Sequence, residues 1–208
     1  MDIINTYNFS IISNIVKTTH FSIDSYHNFN HLINVSKTVN YLCIKNNLDN
    51  FTTISLVYAG LFHDYKYCGN IDDSINIDTS IKFFYDFIEK NFPVWKYDNF
   101  MNFNISRNIL YTNNNPNFYP VKIDDICFEL IRDATKLASL LYFNKETAIS
   151  QYEAFSKEKT FLQFLKNYKS FYDNIKFYNL QARNIFNYSI DRIDNKIDCI
   201  ISRMKNNE

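Results

Sequence analysis

The chain has 208 residues with 22 basic and 22 acidic side chains, so its formal net charge is zero and no long-range field draws in nucleic acid or an anionic membrane. Only 2 Gly and 3 Pro occur, too few turn-formers for a many-stranded sandwich or barrel, and one all-α domain over 1–208 is expected. No apolar run reaches the roughly 18 residues of a membrane span and no cationic segment followed by an apolar one opens the chain, which therefore reads as cytoplasmic, with no membrane and no nucleic-acid partner.

Residues 3–17 carry apolar side chains at Ile4, Tyr7, Ile11, Ile15 and Val16, close to helical spacing, and predict a packing helix. A second helix is predicted from Asp24 or Ser25, either able to cap it, to about residue 45 through Phe29, Leu32, Ile33, Val39 and Leu42. On it, His27 and His31 stand one turn apart on one face. After the polar corner KNNLDN, the run TISLVYAGLFHD is apolar almost all round and predicts a helix through the middle of the domain, with His63 and Asp64 at its C-terminal end. Adjacent helix positions diverge by about 100°, so these two can share an ion only where the chain begins to turn.

Gly69 and the run GNIDDS predict a loop beside that point, and 72–92 reads as an amphipathic helix ending at Pro93. The stretch YTNNNPNFYP predicts a long surface corner. Helices follow at 123–142, 145–168 and 171–204, with no internal repeat and no dividing linker. The aromatic content of 18% recurs inside these helical patterns, where rings fill a core, and a base-stacking platform would come with a basic groove. Cys43, Cys68, Cys127 and Cys199 form no CxxC pair, which points to reduced thiols rather than a zinc knuckle or a disulfide framework.

The chemistry concentrates on two strings, YHNFNH and FHD. His63 beside Asp64 is a mixed nitrogen and oxygen donor pair suited to a divalent transition metal, and His31 can supply a second imidazole. Asp133, in LIRDATKLASLLY, is the best-placed fourth ligand. Two imidazoles and two carboxylates leave positions for water and a phosphate oxygen, the equipment for phosphoester hydrolysis. One divalent ion is expected, with manganese, iron, cobalt, nickel and zinc all compatible with the donors.

These residues resemble the HD-domain metal-dependent phosphohydrolases, in which His, His-Asp and Asp follow one another on successive helices. The likeness is closest to an uncharacterised branch with a YHNxxH string, here Tyr26, His27, Asn28 and His31, and an FHDxxY string, here Phe62, His63, Asp64 and Tyr67. The run Ala182, Arg183, Asn184 adds to it, so the likeness covers about residues 20–195. It implies an HD-type helical bundle, His31, His63 and Asp64 as metal ligands, and a small phosphorylated substrate, nucleotide-like, attacked by metal-activated water. The fourth ligand departs from the pattern, because Thr135 stands where a strict register puts a carboxylate, leaving Asp133 to reach in.

YHNxxH also resembles the cyclic-nucleotide phosphodiesterases, whose first His is a proton donor to the leaving oxygen; His27 matches it, or else it supports a ligand. Lys66 and Tyr67 occupy the stretch where those enzymes carry a second-site His, so a one-ion site is expected. Asp64 and Lys66 join His27 as candidate catalytic groups, Lys66 pairing with phosphate or being a solvated loop lysine. Asn28, Tyr67, Arg132 and Arg183 are candidate substrate contacts, and each has a structural reading beside it: backbone bonding, packing or ion pairing. The rivals are a cyclic-nucleotide phosphodiesterase and a degenerate HD domain that binds a nucleotide or a protein without turnover. The aromatic surface could support a homodimer.

Overall fold

Polar caps decide where the helices begin. The computed structural model describes residues 9–70, 72–113, 125–155 and 160–205. Among them it forms α1 (Phe9–Thr19), α2 (Phe29–Lys45), α3 (Asn50–Phe62), α4 (Asp73–Asn91), α5 (Asn99–Leu110), α6 (Ile126–Leu141), α7 (Lys145–Phe155), α8 (Phe161–Asp173) and α9 (Leu180–Lys205), with a 3-10 turn at Trp95–Tyr97 and no strand. The all-α expectation holds, and no described helix is long and apolar enough to cross a membrane. Cys43 and Cys127 are buried, Cys68 and Cys199 exposed, and all four are free thiols.

Several boundaries differ from those predicted. The start of the first predicted helix lies outside the described residues, and α1 runs on to Thr19. The second begins later than expected because Asn28, not Asp24, caps it: Asn28 Oδ1 accepts from the N–H groups of Asn30 (2.9 Å) and His31 (3.2 Å). Asp24 Oδ1 accepts instead from Tyr26 N (2.9 Å) and His27 N (2.7 Å), folding the segment ahead of the helix into a turn. His27 therefore precedes α2 rather than riding on it. The predicted helix at 145–168 is two helices, α7 and α8, with 156–159 outside the described residues. The last one starts only at Leu180, where Asn179 Oδ1 accepts from Gln181 N at 3.0 Å. The corner YTNNNPNFYP falls mostly outside the described residues.

Helix α5 had no counterpart in the sequence-based elements, and its asparagines explain why. Asn102, Asn104 and Asn108 look like surface residues but are buried, with their amides donating to Trp95 O (2.8 Å), Phe100 O (2.8 Å) and Ser55 Oγ (3.3 Å). Their NH2 groups are thus satisfied, while Oδ1 of Asn102 and of Asn108 accepts no bond among the described residues, and a buried polar atom left unmet costs about 1–3 kcal/mol.

The centre of the molecule is the packing of α2, α3 and α6. Leu32, Val35, Val39 and Leu42 of α2, Leu56, Ala59 and Leu61 of α3, and Leu130, Ala134 and Leu137 of α6 are all fully buried. Helices α2 and α3 approach closely at Gly60, where a Cβ would lie 3.2 Å from the Ser36 backbone and from Val39 Cγ2. Ser36 Oγ donates to Val57 O at 2.6 Å across the same seam. Since α2 carries His31 and α3 ends at His63, this contact sets how near the two imidazoles come. Gly60→Val is expected to lower stability by about 1–3 kcal/mol through overpacking, measured by urea unfolding.

Candidate metal centre

His63 is the residue that ends α3, and Asp64 begins the turn that follows, with Tyr65 N donating to Phe62 O and Tyr67 N to Asp64 O. Leaving the helix there lets two consecutive side chains converge. Their functional atoms meet His31 in a small triangle: His63 Nε2 to Asp64 Oδ2 is 2.8 Å, His31 Nε2 to His63 Nε2 is 3.2 Å, and His31 Nε2 to Asp64 Oδ2 is 3.3 Å. Among the described residues these three are the group whose donor atoms lie close enough together to hold one ion. Ligand bonds of about 2.0–2.2 Å at tetrahedral or octahedral angles place neighbouring donors roughly 3.0–3.5 Å apart, so the triangle fits a transition-metal donor set.

The electrostatics of the triangle follow from burial against charge. Burial would raise Asp64, but the charge of His63 and the hydrogen bonds from His31 and His63 hold it well below the usual carboxylate range. Burial pushes His31 down to about 4, which keeps it neutral and free to ligate. Burial would also lower His63, yet the charge and hydrogen bond of Asp64 and the Gly60 carbonyl raise it above an ordinary histidine. With Nδ1 2.9 Å from Gly60 O and Nε2 against Asp64, His63 is placed to hold a proton at each nitrogen, and its inward proton sits where a cation would.

His27 flanks the triangle, its Nε2 3.8 Å from Asp64 Oδ2 and its Nδ1 2.7 Å from Asp24 Oδ2. Asp24 thereby orients the ring and fixes which nitrogen faces the site. Tyr67 stacks on His27 with ring centroids 3.7 Å apart, and Tyr26 meets the His27 ring edge-on at 5.0 Å. The Tyr67 hydroxyl is pushed up to about 12 by burial and the nearby Asp64 charge, so it stays protonated as a donor.

All these groups open into one cavity of about 860 Å³, lined by His27, His31, His63, Asp64 and Tyr67, by Asp73, Thr112, Thr135, Ser139 and Gln151, by the rings of Tyr26, Phe164 and Tyr168, and by Lys136 and Lys176. Of the predicted contacts, only Tyr67 reaches it. Asn28 caps α2, its amide also donating to Ser25 O at 2.6 Å, so it acts on His31 through the backbone. Lys66 turns away: its Nζ lies over the rings of Phe83 (4.7 Å), Phe21 (5.5 Å) and Tyr65 (5.6 Å). Arg132 covers Phe128 and Tyr178, and Arg183 Nη2 donates to Phe177 O at 3.1 Å, so neither clamps a ligand in the cavity.

Asp133 is not with the triangle. Its carboxylate is fully buried and accepts from Tyr178 N (3.2 Å) and Asn179 N (2.7 Å), at the turn that leads into α9. Thr135, two residues on, lines the cavity in its stead, its hydroxyl donating to Arg132 O at 2.8 Å. Asp24, His20, Asp73 and Lys136 are the site-facing or site-bracing residues that sequence reasoning passed over. Only Asp24 left a trace there, as a carboxylate three residues before His27.

Comparisons of the chain with models of known families, with curated proteins and with solved structures find no match. Its reading therefore rests on the geometry of the site and on the two motif strings.

Burial raises Asp133 to about 6 from an ordinary 3.8, so the folded state holds a proton in that window that the unfolded chain lacks. Stability contributed by Asp133 is then present below the lower value and lost as pH rises through the upper one. Asp133→Ala should cost about 1–3 kcal/mol by orphaning two backbone donors, with the gap to wild type narrowing as pH climbs through that window. Mn²⁺ affinity, followed by calorimetry, should not change, whereas a ligand role would make it collapse.

Proposed function

We propose that the chain is a metal-dependent phosphohydrolase of the HD type, holding one divalent transition-metal ion through His31, His63 and Asp64 and acting on a small nucleotide-like phosphoester or phosphoanhydride. The observation that carries this is the triangle of two imidazole nitrogens and one carboxylate oxygen with edges of 2.8, 3.2 and 3.3 Å at the wall of a large cavity. Such an ion, when bound, lowers the pKa of a coordinated water and polarises a phosphoryl oxygen.

The chain's own groups supply the rest. Neutral His31 ligates through Nε2 in the tautomer that carries its one proton on Nδ1, the Asp64 carboxylate offers a lone pair directly, and His63 releases a proton from Nε2. His27, oriented by Asp24 and braced by the Tyr67 ring, turns Nε2 toward Asp64, which supports a role for it in giving a proton to a leaving oxygen. The cavity volume is in the range that encloses a small molecule, and its rings and amides suit a flat polar heterocycle.

Calorimetry with Mn²⁺ tests the ion. One equivalent should bind wild type with release of a proton from His63, seen as a heat that scales with buffer ionisation enthalpy, and affinity should fall on acidification; His63→Ala should abolish binding. Assays of cyclic mononucleotides, nucleoside mono- and triphosphates with Mn²⁺ should yield turnover on at least one class. A folded protein that takes up no metal and turns over none of them refutes the reading.

His27→Gln should lower kcat by about 10²–10⁴ with Mn²⁺ affinity retained. Unaltered kcat would remove His27 as the proton donor.

A further inference from the structure

The cavity has a second positive locus, on the opposite kind of scaffold from the metal triangle. Lys136, from α6, and Lys176, from the segment between α8 and α9, are the two cations among the described residues that line it. Lys136 is held in one position: its Nζ donates to the Lys176 carbonyl at 3.0 Å and lies 5.0 Å over the Tyr178 ring. An ammonium has three donors, and these two contacts leave it capacity to bond a ligand.

No carboxylate pairs with Lys136 among the described residues. Asp133, the carboxylate whose charge bears on it, has both oxygens engaged by the Tyr178 and Asn179 N–H groups. The charges acting on Lys136 are those of Asp133 and Arg132, while Asp64 answers to the three site histidines. Burial lowers Lys136 from its ordinary value because the charged form loses water, while the Asp133 charge works the other way. Two separate loci thus share one cavity, one built for a metal and its phosphoryl group and one built around a fixed ammonium.

We propose that Lys136 anchors a second anionic group of the ligand, so that the substrate carries two separated anionic groups, a phosphoryl at the triangle and a phosphate or carboxylate at the lysine. This rests on the phosphohydrolase reading for the first group and narrows its substrate class. A charge-assisted bond from a positioned ammonium is strong enough to decide affinity between ligands that differ by one such group.

Titration calorimetry of the full chain with adenosine 3′,5′-bisphosphate and with adenosine 5′-monophosphate, in Mn²⁺ and again in EDTA, provides the test. Wild type should bind the bisphosphate about tenfold or more tighter than the monophosphate. Lys136→Met should erase that advantage with Mn²⁺ affinity unchanged, and Lys136→Arg should keep it; if Lys136→Met fails to fold, Lys136→Gln is read in its place. Equal affinities in wild type, an advantage that survives loss of the ammonium, or no binding of either nucleotide at millimolar concentration overturns the proposal. An advantage that depends on Lys136 in EDTA, without Mn²⁺ uptake, keeps the anchor and removes the metal; Mn²⁺ uptake without an advantage removes the anchor and keeps the metal.

Discussion

Three lone-pair-bearing atoms from two helix ends are brought within 3.3 Å of one another in a place where His63 is only 4% exposed. Bare carboxylate and imidazole lone pairs at that spacing repel unless a proton or a cation lies between them. A shared proton or a cation relieves that repulsion. His63 is the group that can place a proton there, its Nε2 2.8 Å from Asp64 Oδ2 and its Nδ1 2.9 Å from the Gly60 carbonyl. A cluster of that kind favours positive charge, and exchange of a proton for a divalent ion would follow the same logic.

The fold enforces that crowding from three directions. Gly60 lets α2 and α3 close, which carries His31 toward His63. Asn28 fixes the first turn of α2 and so the direction in which His31 leaves it. His20 ties the remaining pieces: its Nε2 lies 2.7 Å from His27 O and its Nδ1 accepts from Lys66 N at 3.1 Å, which joins the turn before α2 to the turn after α3. Burial lowers the pKa of His20, and the neutral ring, with one donor and one acceptor, is the form that makes both bonds. Lys66 adopts a left-handed backbone at φ 58°, a conformation costing about 1 kcal/mol or more for a residue with a side chain. Its bond to His20 and its three rings offset that strain, which is why this lysine is a brace and does not reach the cavity.

How much of this could be read from residues alone depended on whether a side chain announced its partner. The helix through TISLVYAGLFHD and the convergence of His63 with Asp64 at its end were legible, because an all-round apolar run and a chain turn are local properties. The place of His27 was half legible: the ring lies 5.6 Å from His31 as one helical turn would have it, but Asn28 claims the cap and puts His27 in the turn ahead. Helix α5 was hidden by asparagines whose partners, Trp95 O and Ser55 Oγ, lie on other elements. Asp133 misled for the same reason. A buried carboxylate in an apolar helix looks like a ligand, and nothing nearby in sequence reveals that Tyr178 and Asn179, some 45 residues on, bring their N–H groups to it.

The displacement of Asp133 also changes what the site can hold. A divalent ion held among His31, His63 and Asp64 would have one carboxylate to neutralise it and so would keep one net positive charge; a second carboxylate in place of Thr135 would cancel it. Phosphoryl oxygens are anionic, and in a low-dielectric cavity their attraction to a residual positive centre is much stronger than in water. Three protein donors would also leave an ion that accepts six with room for a water and a ligand oxygen. Asp133 instead fixes the start of α9 and, through Tyr178, the segment that carries Lys176 and against which Lys136 of α6 rests.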